Sequence, residues 1–361
     1  MNTEIASDVL NESGQSKWSS LVEILKHQIM ANKWEAGSRL PSYGVLEKKF
    51  NVSRVTMQQA IGRLKQDGFI TSLERQGLFV SEELPHLNRF GIVLTSHERD
   101  NFFLRGLLDA ADMVAEKTGR EFVVYRNIGS KFCTQDSVVN LKYDIQAKRL
   151  AGMLFTFSVQ KECHEPFIYL ENQLPKVVLN NDQLSNSFRI RFNTLSMVRK
   201  GLDYLESQGC RRIAFLCQWE NPPSLGYFRD EIQKRGLISP IEWQLPIQNH
   251  SLAEQISRLL LSLPENQRPE GIFIGDDNLT EPAIKGIVAS GVKVPEELKV
   301  VSHCNWISEL PKTIPIKYLG FDLVWIIENF VKIIDNFHRQ QPQENEIELK
   351  PLFENELIDK R

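Results

Sequence analysis

Cysteine is scarce. There are five in 361 residues, at positions 133, 163, 210, 217 and 304, an odd number with no CxxC spacing. A disulfide framework is therefore not expected, and a reducing compartment fits. Structural zinc takes spaced pairs of ligands, whereas Cys163 and His164 are adjacent with no second pair near them, so no metal is expected either. No apolar run approaches the ~18 residues that suggest a membrane span. The opening MNTEIASDVLNESGQ has no basic-then-apolar signal. A cytoplasmic chain with no membrane partner is expected, with residues 1–16 disordered. G-x-S-x-G, a phosphate loop and paired His at i, i+4 are all missing, so no catalytic residues, enzyme activity or cofactor are expected. Asp276 and Asp277 are adjacent, and neighbouring side chains diverge in extended chain. A loop contact or a helix cap suits them better than an acid pair.

What the chain does have is an ordinary globular composition, 42% hydrophobic and 25% charged, in a length suited to two or three domains. The net charge of −3 is unevenly spread: residues 17–80 hold ten Lys/Arg against five Asp/Glu, leaving 33 against 41 for the rest. A basic front on an acidic body suggests that the front meets a polyanion.

Helical spacing of Trp18, Leu21, Val22, Leu25, Ile29 and Met30 predicts a helix over 17–31. A short helix over 42–50 follows Pro41, with Ser42 as its N-cap; Asn51-Val52-Ser53 turns the chain, and a third helix over 54–67 stops at Gly68. Apolar pieces at 69–71 and 78–80 flank Glu74-Arg75-Gln76-Gly77, a small hairpin. This is a helix-turn-helix with a wing. In such a unit the second helix of the motif enters the major groove, N-terminal residues first. Met57, Ala60, Ile61 and Leu64 form its inward face; Val55, Gln58, Gln59, Gly62 and Gln66 face out. Val55 suits a thymine methyl, and Gln58 or Gln59 suits a bidentate bond to adenine. Ser53, Arg54 and Thr56 at the helix start suit phosphate, as do Ser42, Lys48 and Lys49 before it, with Arg75 and Gly77 at the wing tip. The ordered set LPS (40–42), NVSRVT (51–56), AIGRLKQDGFI and QGLFV (76–80) resembles the winged-helix DNA-binding domain of the GntR family of bacterial regulators, over residues 17–82. That resemblance implies recognition roles for Ser53, Arg54 and Thr56. It departs from the family at Gly44, Gln58 and Arg75, so the operator sequence is not transferable.

After a polar, proline-containing linker at 81–89, apolar strands alternate with amphipathic helices. One round runs from FGIVLT (90–95) to PKVVLNN (175–181); a second is expected to open at FRIRFN (188–193) and to continue through RRIAFLCQ, GIFIG and LKVVSHC. Continuous apolar strands between helices argue for parallel sheets covered on both faces, hence an α/β fold of two doubly wound lobes over 90–361 with a ligand between them. GLDYLESQGCRRIAFL (201–216) and RPEGIFIGDDNLTEPAIKGIVASGVKVPEELKVVS (268–302) resemble the LacI/GalR effector domain, itself similar to periplasmic sugar-binding proteins. The combination is similar to arabinose-responsive repressors that join a GntR front to a LacI-type back.

The resemblance places the effector among Asp276, Phe192, Asn180 and the loop after the first strand, with Ser96, His97, Arg99, Asn101 and Phe102. Aromatic faces and fixed carboxylates suit a sugar ring. Two family clamps are replaced, by Pro223 and Cys304; Asn305 or Trp219 can compensate, or can be a loop residue and a packing residue. The function expected is a homodimeric, ligand-responsive repressor that binds a double-stranded operator and a small molecule, a carbohydrate in the first instance. The alternative is a small-molecule-binding or enzymatic protein whose front is a protein-interaction module.

Overall fold

Leu21, Val22, Leu25 and Ile29 make one buried stripe on helix α1 (Lys17–Met30). In the computed structural model, which describes residues 16–94, 101–128, 135–156, 174–180, 187–218, 222–306 and 310–359, this stripe closes over α2 (Tyr43–Phe50) and α3 (Arg54–Gln66). Residues 1–15 of the expected N-terminal tail lie outside the described set. Asn51 takes the left-handed conformation that ends α2, and Ser53 caps α3 by accepting the Thr56 N–H at 3.2 Å. Met57, Ala60, Ile61 and Leu64 are the buried face of α3. The wing is β1 (Ile70–Leu73) paired antiparallel with β2 (Gly77–Val80), with Arg75 at positive φ at its tip.

The segment 81–89, expected as a polar linker, is folded. Ser81, Leu84 and His86 are buried, and Pro85–Asn88 forms a one-turn helix, α4. Leu84 joins the core of the front domain, and the His86 ring stacks on Phe69 at 5.7 Å. One apolar residue, Leu84, and the stacked ring of His86 anchor SEELPHLNR despite its polar composition. Burial, aided by the charge of His338, holds His86 down to about 4. His86 is therefore neutral in the folded chain, while the unfolded chain takes up a proton below 6.5. Its contribution to stability is complete above pH 6.5 and is lost as pH falls toward 4, by ~2 kcal/mol between pH 7.5 and 5. His86→Phe is expected to flatten the acid side of the melting-temperature profile by that amount. An unchanged difference between the two profiles would refute the assignment.

Among the described residues the body holds two six-stranded sheets. The first lobe contains β3 (Arg89–Val93), α5 (Phe102–Thr118), β4 (Glu121–Tyr125), α6 (Gln135–Gln146), β5 (Gly152–Phe155), β6 (Lys176–Leu179) and β7 (Ser187–Phe192). The second contains α7 (Thr194–Ser207), β8 (Ile213–Gln218), α8 (Pro222–Arg235), β9 (Gln244–Ile247), α9 (Leu252–Leu261), β10 (Gly271–Ile274), α10 (Thr280–Ser290), β11 (Lys299–Trp306) and β12 (Lys317–Asp322). Then α11 (Leu323–His338) and β13 (Glu346–Leu349) return to the first lobe, and β14 (Leu352–Phe353) with α12 (Glu354–Ile358) ends on the second. The sheet orders are β13-β7-β6-β5-β3-β4, all parallel, and β14-β12-β11-β10-β8-β9, parallel but for β14. β5, β6 and β10 are buried at every residue, as a sheet covered on both faces requires.

FRIRFN corrects the expected division. β7 does not open the second lobe: it pairs with β6 in the register Val177↔Phe188, and β13 pairs on its far side. Its alternating apolar and basic residues, half-buried rather than continuous, are those of a strand near a sheet edge. The chain thus crosses between lobes near 193, near 322 and near 350.

Candidate nucleic-acid interface and effector cleft

The outward face of α3 is open. Val55 is 63% exposed, and Arg54, Gln58, Gln59, Gly62 and Gln66 are exposed with it. The helix start is organised by Ser53, whose hydroxyl lies 2.9 Å from that of Thr56 while it caps the helix. Ser42 stands at the N-cap position of α2 without a side-chain cap bond, so its hydroxyl is not used in holding the helix. Lys48 and Lys49 are exposed, and the Lys49 ammonium lies 5.1 Å over Trp34 and 5.4 Å over Phe50, which steers it along the domain surface. Between the start of α2 and the wing is a groove of about 870 Å³, lined by Arg39, Ser42, Lys65, Glu74, Arg75 and Gly77 among others. Gly77 sits at φ +110, and a Cβ there would come within 3.3 Å of the Arg39 guanidinium. Three cations against one acid suit a phosphate backbone. Arg63, also on α3, faces the other way, onto Asp67, and is not part of this surface.

In the body, the lobes meet where the carboxyl ends of their strands face each other. The Phe102 N–H at the start of α5 donates to Asn278 Oδ1 of the other lobe, at 3.3 Å. Phe192, ending β7, is held edge-on by Phe103 at 5.8 Å and by Phe321 of the other lobe at 4.9 Å; His303 packs on Phe321 at 5.7 Å. Asp276 caps the short turn Asp277–Leu279, accepting the Asn278 N–H and side-chain amide, both at 3.0 Å. Asp277 accepts from the Asn305 amide at 2.5 Å. Burial pushes both carboxyls upward; that of Asp277 reaches about 6 although Asn305 and Asn278 oppose the rise, and the neighbouring charge of Asp277 adds to the rise of Asp276. Burial holds His303 down to about 4 against the charge of Asp276, and neither of its buried ring nitrogens has a hydrogen-bond partner.

Of the residues expected at the effector, Asp276 and Phe192 come to this junction with their side chains and Phe102 with its backbone N–H, while the Phe102 ring lies 5.0 Å under the Arg105 guanidinium. Asn101 is the N-cap of α5, its carbonyl oxygen taken by the Leu104 N–H at 3.0 Å. Asn180 is exposed beyond β6, at φ +69. Asn305 is not a free clamp: it is 3% exposed and bonded to Asp277. His97 and Trp219 lie outside the described residues, as do Cys163 and His164. Cys304 points away from the junction, into a cluster with Trp306, Tyr318 and Leu352. Its neighbour His303 takes the opposite face of β11 and packs at the junction; with Cys304 expected at a clamp position, strand alternation from the sequence alone turns His303 the other way. No group of His, Cys, Asp and Glu suited to a metal, and no helix long and apolar enough to cross a membrane, occurs among the described residues.

Comparison with known proteins agrees with this fold. Residues 18–80 match the model of bacterial regulatory proteins of the gntR family, and residues 202–314 match that of periplasmic binding protein-like domains. The arabinose metabolism transcriptional repressor of Geobacillus stearothermophilus is 23% identical over 331 residues, covering 81% of this chain and 83% of its own. Its counterpart in Halalkalibacterium halodurans is 21% identical over 80% of each chain. Among solved structures, a LacI family regulator from Arthrobacter in complex with lactose superposes with a TM-score of 0.58 at 16% identity, over 74% of this chain and 97% of its own. A Lactobacillus casei LacI family regulator with bound glucose gives 0.54 at 19%, over 74% and 98%. The chain carries the helix-turn-helix domain of the GntR family in front of a two-lobed, periplasmic-binding-protein-like domain of the LacI-regulator fold.

Proposed function

We propose that this protein is a bacterial transcription repressor that holds an operator through α3 and its wing and releases it when a small molecule draws the two lobes together. The observation that carries the proposal is the open face of α3, with Val55, Gln58 and Gln59 exposed beside Arg54 and a basic groove, on a domain joined to a two-lobed body. An open polar face with cations at its rim is what base reading and phosphate contact require. Ser42, Lys48, Lys49, Ser53, Thr56, Arg75 and Gly77 serve the backbone. A helix-turn-helix dimer on an inverted repeat, paired through the first lobe, fits this geometry. A soluble, cytoplasmic, non-enzymatic protein fits the whole.

The effector is a carbohydrate, held by Phe192 and Asp276, with His303 as an added polar contact. Support comes from the aromatic and carboxylate mixture at the junction and from the repressors of arabinose metabolism to which the chain is similar. The lobes couple effector to DNA to the extent that the sugar binds one arrangement better than the other. A mobility-shift assay on the gene's own upstream region tests both halves. A duplex from there should be bound in preference to random DNA at physiological salt, and a member of a monosaccharide panel that includes L-arabinose should release it. Equal affinity for random DNA would end the DNA reading, and retention through the whole panel would end the carbohydrate reading.

A further inference from the structure

The recognition helix ends against the body rather than in solvent. Its C-cap residue, Asp67, is completely buried. One carboxylate oxygen takes the Lys26 ammonium at 2.7 Å and Arg63 Nε at 3.2 Å, and the other accepts the Tyr143 hydroxyl. Tyr143 lies in the last turn of α6, in the first lobe. Lys26, 1% exposed, makes a second bond at 2.8 Å to the carbonyl of Ala147, just past the end of α6. The Arg63 guanidinium lies 4.6 Å over the Tyr143 ring, and that of Arg149 lies 5.5 Å from it. Arg149 and Arg89 share Asp144 at 2.9 and 2.8 Å, and Arg89 reaches Glu121 at 2.7 Å, which carries the ion pairs to the first residues of β3 and β4. At the rim, Lys148 pairs with Glu23 at 3.3 Å.

Lys26 and Asp67 are both out of water and each bonds to α6 or the residue just past it, so sliding the head on the body would strand a buried charge. Its other end matters as much. In the unit β4–α6–β5 the strands are parallel neighbours of β3, so α6 runs against them. The helix therefore starts at the carboxyl edge of the sheet, where the lobes meet, and ends under Asp67, a rigid span of ~18 Å at 1.5 Å per residue.

We propose that Lys26, Asp67 and Tyr143 are positioning residues that lock the DNA-binding head to the first lobe, so that a rearrangement of that lobe turns the recognition helix as a rigid body through α6. The proposal rests on the DNA-binding reading above. It is tested on the full-length chain with Tyr143→Phe, which keeps the ring, and Tyr143→Phe with Asp67→Asn, which keeps the shape of the cap. Without ligand or DNA, amide exchange at residues 84–88 and in the last turn of α6 should quicken about tenfold in the double variant, with the cores of α1, α3 and the sheets unchanged. On duplexes taken from the wild-type footprint, affinity for one half-site should stay within about twofold while affinity for two half-sites falls about tenfold, because freed heads lose their set spacing. Unchanged exchange at 84–88 overturns the proposal. So does equal weakening on both duplexes, the mark of a damaged head. If the double variant does not fold, Tyr143→Phe alone decides on the same two readouts with smaller shifts of the same pattern. If the wild-type chain binds no upstream duplex, the DNA reading has failed, and amide exchange still decides whether the lock exists.

Discussion

Arg54→Ala combined with Gln59→Ala is expected to weaken binding to the operator by roughly 10²–10³-fold while leaving the thermal melt in place. A bidentate contact to a base discriminates by about 1–3 kcal/mol, and a phosphate contact adds a sequence-independent share. Gln59 lies on the exposed face of α3 and Arg54 is the first residue of that helix, also exposed, so neither substitution opens a cavity or strands a buried group. The two side chains fail differently. Loss of Arg54 should weaken all sequences alike and make the plot of log affinity against log salt shallower by about one counterion. Loss of Gln59 should leave that slope intact and relax the preference at one base pair. Titrations at several salt concentrations, on operator and scrambled duplexes, separate the two. If the double variant binds as the wild type does, α3 does not read DNA, and a protein-interaction role for the head becomes the better account.

The second large effect is expected far from DNA. Gly286→Val should lower stability by ~3 kcal/mol, the upper end of overpacking costs, because the clash is with backbone. Gly286 lies on the buried face of α10, where that helix crosses α9. A Cβ at this position would stand 2.2 Å from the carbonyl oxygen of Glu254 and 2.9 Å from Cβ of Ser257. A long side chain could swing away, but a backbone carbonyl inside a helix cannot. The two helices would have to part, and Ala253, Leu260, Leu261, Ala283 and Ile287 would lose the packing that covers β8 and β10. Urea titration followed by circular dichroism measures the loss. A midpoint within experimental error of the wild type would mean that the helices sit farther apart than described.

The head could be read from sequence because its determinants are local. The spacing of Met57, Ala60, Ile61 and Leu64 selects the inward face of α3, and a small hydroxyl residue at 53 starts the helix as its cap. The α/β nature of the body follows in the same way from apolar strand runs between amphipathic helices. Which strand belongs to which sheet does not, because pairing partners are distant in sequence. β7 looks like the start of a new round until β13, more than 150 residues later, lies beside it. The cleft shows the same division. Asp276 as a cap is legible from the sequence, because its partner Asn278 is two residues away, but the capture of Asn305 by Asp277 and the turn of His303 toward Phe321 depend on strands brought together across the fold.

By itself, then, the sequence determined the periodic pieces: a basic winged helix-turn-helix with a polar outer face, and a body of parallel strands covered by helices. Only the tertiary structure decided that segment 81–89 is anchored by Leu84 and His86, and that Asp67 closes against Tyr143 and Lys26. The physical reason is range. Helix caps, turns and amphipathic faces are settled among neighbours a few residues apart, whereas a buried charge is tolerated only once the chain has delivered its partners, here from 41 residues before Asp67 and 76 after it.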